Sequence, residues 1–248
     1  MRAIVLKDYG GVDQLEWREV ADPKPGAGEV LVKMAATSIN PIDWKLRSGH
    51  AKARMPLELP AILGRDLAGE VLEVGAGVTR LRAGDHVMGL SMHTYAEKVV
   101  TEAATLVKLP PSLSLTDAGA LPLILTTGFQ LMAEAVQAQA GQTILVTGAT
   151  GSVGRTALFV GKQRGARMIA GVRKQQMSEA VELGAERVVA LDDDAELAAL
   201  PALDAIADTV GGDTITKLLP RIKSGGTLGT VVGAPAAAEG KPDRKSTR

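Results

Sequence analysis

The chain has 248 residues, 46% of them hydrophobic, and its 28 Lys and Arg are balanced by 28 Asp and Glu, so no net field draws it to nucleic acid or to an anionic membrane. With two residues each of Phe, Trp and Tyr it also lacks a base-stacking platform. The absence of cysteine excludes disulfides and thiolate metal ligands, and His50, His86 and His93 lack ligand spacing, so no metal site is expected and small molecules are the expected partners.

The first 120 residues alternate short apolar runs with turns. Runs at Ala3–Leu6, Leu15–Val20, Val30–Ala35, Leu67–Val74, His86–Leu90 and Ala96–Val100 are separated by clusters such as Gly10-Gly11, Asp22-Pro23-Lys24-Pro25-Gly26 and Gly84-Asp85. Strands of about five residues with such punctuation predict a barrel-like β domain. A small helix is expected at Ile42–Leu46 after Pro41, and Ser114 with Asp117 has the spacing of a capping box. Over residues 125–140 the apolar positions Leu125, Phe129, Met132, Ala133 and Val136 fall on one helical face, which Gly141 ends.

The stretch from Gln142 to Lys174 then reads as strand, glycine turn, helix, strand. Thr143–Val146 suits a buried strand, Gly148, Gly151 and Gly154 recur every third residue, and a second apolar run covers Met168–Val172. Glycine is needed in such a turn because a side chain would hold a pyrophosphate away from the backbone amides at the helix N-terminus. Beyond it, helices at Met177–Leu183, Ala195–Leu200 and Thr214–Leu219 alternate with strands at Arg187–Leu191, Ala205–Asp208 and Thr227–Val232, which predicts an α/β doubly wound parallel sheet. The expected division is residues 1–120 for the β domain, 121–233 for the dinucleotide-binding domain, and a frayed, charge-rich tail over 234–248.

Several segments together resemble the zinc-independent branch of the medium-chain dehydrogenase/reductase superfamily, the quinone oxidoreductase and alkenal or enone reductase group. They are Ser38-Ile39-Asn40-Pro41-Ile42-Asp43-Trp44-Lys45, Leu63-Gly64-Arg65-Asp66-Leu67-Ala68-Gly69, Gly84-Asp85-His86-Val87, Tyr95-Ala96-Glu97, Ala120-Leu121-Pro122-Leu123 with Thr127, and the glycine fingerprint. The resemblance implies a GroES-like β-barrel catalytic domain followed by a Rossmann domain, with NADPH as cofactor and a quinone or enone as substrate. Zinc-bearing relatives carry Gly-His-Glu where this chain has Gly64-Arg65-Asp66, and a ligand cysteine where it has Ser38. Without a Lewis acid, hydride transfer to an activated C=C or a quinone is a better expectation than alcohol oxidation. Family members continue with one more Rossmann strand, which is not recognisable after Gly233. They often dimerise through that strand, so its absence weighs against a homodimer of that kind.

Within this resemblance the expected cofactor contacts are Gly148, Thr150, Gly151, Ser152, Val153 and Gly154 in the fingerprint, and Val210, Val232 and Gly233 at later strand ends. Arg173 and Lys174 follow the second strand, where an NAD enzyme places an acid for the ribose 2′-OH, and read as a grip for a 2′-phosphate or as two solvated cations. Asn40 and Thr127 are expected beside the nicotinamide, orienting it, with a turn residue and a helix-surface hydroxyl as the alternatives. Lys45 is the expected cation for negative charge on a substrate carbonyl, or else an exposed helix lysine. Asp43 and Tyr95 are expected at the substrate pocket or as structural residues. The run Asp192-Asp193-Asp194 reads as a helix cap before a metal site. A non-catalytic NADPH-binding sensor or interaction protein is the alternative function. Neither a secretory leader in MRAIVLKDYGG nor a membrane-length apolar run is present, so the expected compartment is the cytoplasm.

Overall fold

In the computed structural model the chain forms two compact units, Met1–Leu123 and Ile124–Arg248. The structure describes residues 1–233 and 235, together with the backbone of 245–247.

The first unit is built from two antiparallel sheets. Strands β1 (Arg2–Leu6), β2 (Leu15–Glu19) and β4 (Ala61–Ile62) form the smaller one in the order β2-β1-β4. Strands β3 (Glu29–Ala36), β5 (Asp66–Val74), β6 (His86–Leu90), β7 (Lys98–Glu102) and β8 (Leu106–Lys108) form the larger, in the order β7-β3-β5-β6-β8. Alternation along the strands sends Val30, Val32, Leu67, Val71, Val87, Val99 and Leu106 into one core. Each such fully buried side chain is worth about 1.5–3 kcal/mol. The short strands β4 and β8 escape sequence reading because two or three residues hold no period-2 pattern. Helix α1 (Pro41–Arg47) begins at the proline, whose fixed φ suits a first helical turn and whose missing N–H is not needed there.

The second unit is a parallel sheet flanked by helices. Its strands are β9 (Thr143–Thr147), β10 (Arg167–Val172), β11 (Arg187–Ala190), β12 (Leu203–Asp208), β13 (Ile222–Thr230) and β14 (Lys245–Thr247), in the order β11-β10-β9-β12-β13-β14. Alternation is again visible in the burial. Ile144, Val146, Met168 and Ala170 enter one core, and Leu145, Ile169, Ile206 and Leu228 enter the other. The chain winds from β9 outward through helix α4 (Ser152–Gln163) to β10 and β11, then returns on the opposite side of β9 as β12. The winding direction therefore reverses between β9 and β12, and the loops that follow these two strands open at the same edge. That reversal is where open α/β sheets bind ligands.

Three expectations are corrected. The single amphipathic helix over 125–140 is instead α3 (Pro122–Gln130) followed by a π-helical turn at Leu131–Ala135, with Gln137 in the left-handed region at φ 56°. The wider turn brings Leu131 and Val136 onto Gly229 of β13, while Leu125 and Phe129 of the expected apolar face stay exposed. Strand β13 starts five residues earlier than expected and stops at Thr230, leaving Val231 and Val232 in an exposed turn. The frayed-tail expectation fails at Lys245–Thr247, whose backbone pairs with Thr227–Gly229 and so satisfies the open edge of β13. The rest of that tail lies outside the described residues except residue 235. No helix among the described residues is long and apolar enough to cross a membrane.

Candidate active site

In the first unit the polar chemistry gathers around Asp66, which has no exposed surface. Its Oδ2 accepts from the Asn40 amide at 2.7 Å and from the Ser38 hydroxyl, and its Oδ1 accepts from the backbone N–H of Leu123 at 2.6 Å. A carboxylate only accepts, so the Asn40 NH₂ must face it, which settles the orientation of that amide. The same NH₂ reaches the Ser38 Oγ at 2.9 Å. Asn40 is therefore a locked side chain at the start of α1 and not a free turn residue. Asp43, three residues on, accepts from the Asn40 backbone N–H at 2.7 Å through Oδ2, while its Oδ1 is buried without a hydrogen bond.

Tyr95 packs beside this network. Its hydroxyl donates to the Ser38 carbonyl at 3.3 Å. Burial pushes its phenol well above the ordinary range, and the charges of Asp43 and Asp66 add to the shift, so it stays protonated at any physiological pH. Gly64 makes this approach feasible. It sits at φ 98°, and a Cβ there would lie 2.3 Å from the Thr94 Oγ1 and 2.7 Å from the Tyr95 ring. Lys45 sets its Nζ 5.9 Å from the Trp44 ring centroid and makes no ion pair among the described residues.

In the second unit a cavity of about 690 Å³ opens at the switch point, lined by Gly148, Thr150, Gly151, Arg173, Val210 and Lys217 among others. The turn leading into α4 is as tight as the fingerprint predicts. Gly148 sits at φ 64°, and a Cβ on Gly154 would lie 2.2 Å from the Gly148 carbonyl oxygen. Gly151 caps α4 without a side-chain hydrogen bond, so the first amides of a 12-residue helix lack a side-chain cap at this turn. Arg173 lines the cavity, is exposed, and its guanidinium meets no partner among the described residues. Lys174, expected as its helper, is engaged instead by Asp193 at 3.3 Å. Ser152, Val153, Val232 and Gly233 do not line this cavity. Arg155 is tied to Glu179 and to the Thr150 carbonyl. Asp193 caps α6 (Asp194–Ala198) by accepting from Ala195 and Glu196. Thr127, on α3, is half-buried with no side-chain hydrogen bond among the described residues.

Asp208, at the end of β12, was not singled out by sequence reading. Fully buried, it accepts on Oδ1 from the Thr147 hydroxyl at 2.7 Å and from the N–H groups of Val210 and Gly211, both at 3.0 Å. Its Oδ2 accepts from the Thr230 hydroxyl at 2.8 Å. Thr209 adds two hydrogen bonds to Thr147, at 2.9 and 2.7 Å. One carboxylate thus joins the C-terminal ends of β9, β12 and β13, and the loops after the first two line the cavity. The available signal was an acid closing an apolar strand just before Gly211-Gly212, with Thr147 and Thr230 closing the neighbouring ones.

Comparison with known proteins agrees with this geometry. Residues 26–147 match the family model for the alcohol dehydrogenase GroES-like domain. The chain is 33% identical over 199 residues to a chloroplastic quinone-oxidoreductase homolog of Spinacia oleracea, covering 76% of this chain and 60% of that one. It is 32% identical over 249 residues to the NADPH-dependent alkenal/one oxidoreductase of Arabidopsis thaliana, covering 94% of this chain and 63% of the relative. The chain thus spans less than two thirds of the length of these relatives. Among solved structures, the quinone oxidoreductase of Pseudomonas syringae pv. tomato superposes with a TM-score of 0.83 at 30% identity, covering 100% of this chain and 80% of that one. With its GroES-like unit, its doubly wound sheet and its glycine turn, the chain belongs to the medium-chain dehydrogenase/reductase superfamily, in the zinc-independent quinone oxidoreductase and alkenal/enone reductase group.

Proposed function

We propose that the protein is an NADPH-dependent oxidoreductase that delivers hydride to a quinone or to the activated C=C of an α,β-unsaturated carbonyl, without a metal. The observation that carries the cofactor half is Arg173, whose unpaired guanidinium lines the switch-point cavity where an acid would select NAD. The residues fit a dinucleotide. The Gly148–Gly154 turn leaves no room for a Cβ at its close contact and presents uncapped helix amides to a pyrophosphate. The bound dinucleotide supplies the hydride. The chain's residues hold it in place: the turn for the pyrophosphate, Arg173 for the 2′-phosphate, and the Asn40 amide and Thr127 hydroxyl for orientation of the reacting ring. The relatives' names, quinone oxidoreductase and alkenal/one oxidoreductase, support the substrate class. Ser38 and Asp66, joined to each other and to Asn40 by hydrogen bonds, offer a hydroxyl, an amide and a carboxylate, a donor set unlike that of a zinc site.

Titration calorimetry with both cofactors tests this reading. A charge-assisted contact to phosphate is worth about 1.5–3 kcal/mol, so Arg173→Ala should raise the NADPH dissociation constant by about 10- to 100-fold and leave NADH nearly unchanged. Equal loss for both cofactors would remove Arg173 from the site. The catalytic half is tested by NADPH consumption with a panel of quinones, enals and enones. Tight cofactor binding with no turnover of any of them would sink it.

A further inference from the structure

A second charged feature of the first unit lies on its surface, around α1 and the turns that follow it. From Trp44 to Leu57 the sequence carries Lys45, Arg47, Lys52 and Arg54 and no acid. This local excess of positive charge stands in a chain whose charges balance overall. Cations of the neighbouring sheet are paired, Arg2 with Glu97 at 2.7 Å and Lys7 with Glu16 at 2.8 Å, whereas none of these four makes an ion pair with a described residue. The acids nearest in the chain are turned onto the backbone. Asp43 is buried and accepts from the Asn40 N–H, and Asp8 accepts from the Tyr9 N–H at 2.7 Å.

The segment is fixed in place by its own contacts. Gly49, at φ 82°, turns the chain back after α1, and a Cβ there would stand 3.5 Å from the Tyr9 ring. The Tyr9 hydroxyl accepts from the Leu57 N–H at 2.8 Å, and Arg47 donates to the Gly10 carbonyl. Two aromatic rings gather the remaining charge. Lys52 sets its Nζ 4.8 Å from the Tyr9 ring centroid, Lys45 sets its own 5.9 Å from that of Trp44, and His50 meets Trp44 edge-on at 5.4 Å. Ammonium groups held at rings lose less freedom on meeting a partner than free ones do. Ile39 and Trp44 stand just before the Asn40 cap and one turn into the helix, positions that face the same side, and they are 85% and 44% exposed.

Cations set around two exposed apolar side chains call for a partner that offers both negative charge and an apolar anchor. A polyphosphate or a nucleic-acid backbone supplies the charge but no aliphatic anchor for Ile39. A bilayer requires a broad apolar face, which two side chains at the start of a seven-residue helix do not make. A protein segment supplies both, and tryptophan and arginine are the side chains that carry most energy in such contacts. We infer that Ile39, Trp44, Lys45, Lys52 and Arg54 form a docking surface for an acidic segment of another protein, with its carboxylates on the cations and an apolar side chain against Trp44. The inference is independent of the function proposed above.

The test titrates the full chain into a fluorescein-labelled peptide of glutamate and leucine, and into the same peptide with glutamine for glutamate, and follows fluorescence anisotropy. The glutamate peptide should bind about tenfold or more tightly than the glutamine one. Raising salt from about 0.05 to about 0.5 M should weaken it about tenfold, because screening shortens the reach of exposed charges. Lys52→Glu/Arg54→Glu should cost about 100-fold and flatten the salt dependence, and Trp44→Ala should cost about tenfold while leaving that dependence in place. Lys24→Glu/Lys33→Glu makes the same charge change elsewhere on the first unit and should keep the affinity within about twofold. Unchanged thermal unfolding by circular dichroism shows that each variant is folded. No preference for the glutamate peptide, or equal loss in the two double variants, overturns the inference. Tighter binding to phosphatidylserine vesicles or to a single-stranded oligonucleotide than to the peptide, abolished by Lys52→Glu/Arg54→Glu, also overturns it and assigns the surface to a membrane or to nucleic acid.

Discussion

Each unit buries an aspartate completely, and the two carboxylates hold together different kinds of structure. Asp208 sits in a parallel sheet, and its side-chain partners Thr147 and Thr230 end the two strands that flank β12. The register of the ladder already brings those residues alongside it. Asp66 instead reaches irregular chain, namely Ser38 and Asn40 ahead of α1 and the Leu123 N–H in the first turn of α3, 26 to 57 residues away. No ladder places those donors, so the carboxylate itself is what fixes them. A buried acid in a sheet reinforces an arrangement made by backbone pairing, whereas one among loops creates the arrangement.

This contrast orders the expected effects of substitution. Asp66→Ala leaves the Asn40 amide, the Ser38 hydroxyl and the Leu123 N–H without their acceptor, and each unsatisfied buried group costs about 1–3 kcal/mol. Urea denaturation should show a loss of about 3–5 kcal/mol, and a loss under about 1 kcal/mol would mean that the loops hold themselves. Asp208→Asn keeps the volume but turns one acceptor into a donor facing hydroxyl and amide donors. It should cost less, about 1–3 kcal/mol, and weaken NADPH about tenfold because the loops after β9 and β12 lose their common tie. A larger stability loss for Asp208→Asn than for Asp66→Ala would reverse the comparison.

The smallest effect is expected at the far end of β12. Asp204 accepts from the Thr143 N–H and from Lys223, each at 2.7 Å. Burial alone would raise its pKa, but the Lys223 and Thr143 hydrogen bonds, with the charges of Lys223 and Arg167, outweigh that and hold it below the ordinary carboxylate range. A depressed folded-state pKa contributes stability that is fully present above the unfolded value of about 3.9 and is lost as pH falls through the folded one. Wild type should therefore exceed Asp204→Asn by under about 1 kcal/mol at pH 7, given the partial exposure, and the two should converge as pH drops below that of the unfolded group. A gap that widens in acid would show the sign to be wrong.

How much of this was legible follows the same division. Thr143–Val146, the three glycines and Met168–Val172 announce a dinucleotide turn because each signal is confined to a few neighbouring residues. The proposal for Arg173 is local in the same way, since its position is counted from a strand end. Asp66 was visible in the Gly64-Arg65-Asp66 segment that stands where zinc-bearing relatives carry Gly-His-Glu, but nothing in its neighbourhood names Ser38, Asn40 or Leu123 as its donors. Lys45 was singled out through the resemblance of Asp43-Trp44-Lys45 to enone reductases, and only the fold sets its Nζ 5.9 Å from the Trp44 ring centroid. Lys174, adjacent to Arg173 in sequence, was drawn to Asp193, which the fold brings up at the end of β11.

By itself the sequence determined the two-part architecture, the alternation of most strands and helices and the glycine turn, because periodicity and turn chemistry act over short windows of chain. Only the tertiary structure decided that Asp66 and Asp208 are the ties of their units, that the helix after Pro122 widens into a π turn over Gly229, and that Lys45 and Lys52 gather at Trp44 and Tyr9. Those outcomes depend on which distant groups meet after packing and on how their charges and hydrogen bonds are satisfied, and no local pattern carries that information.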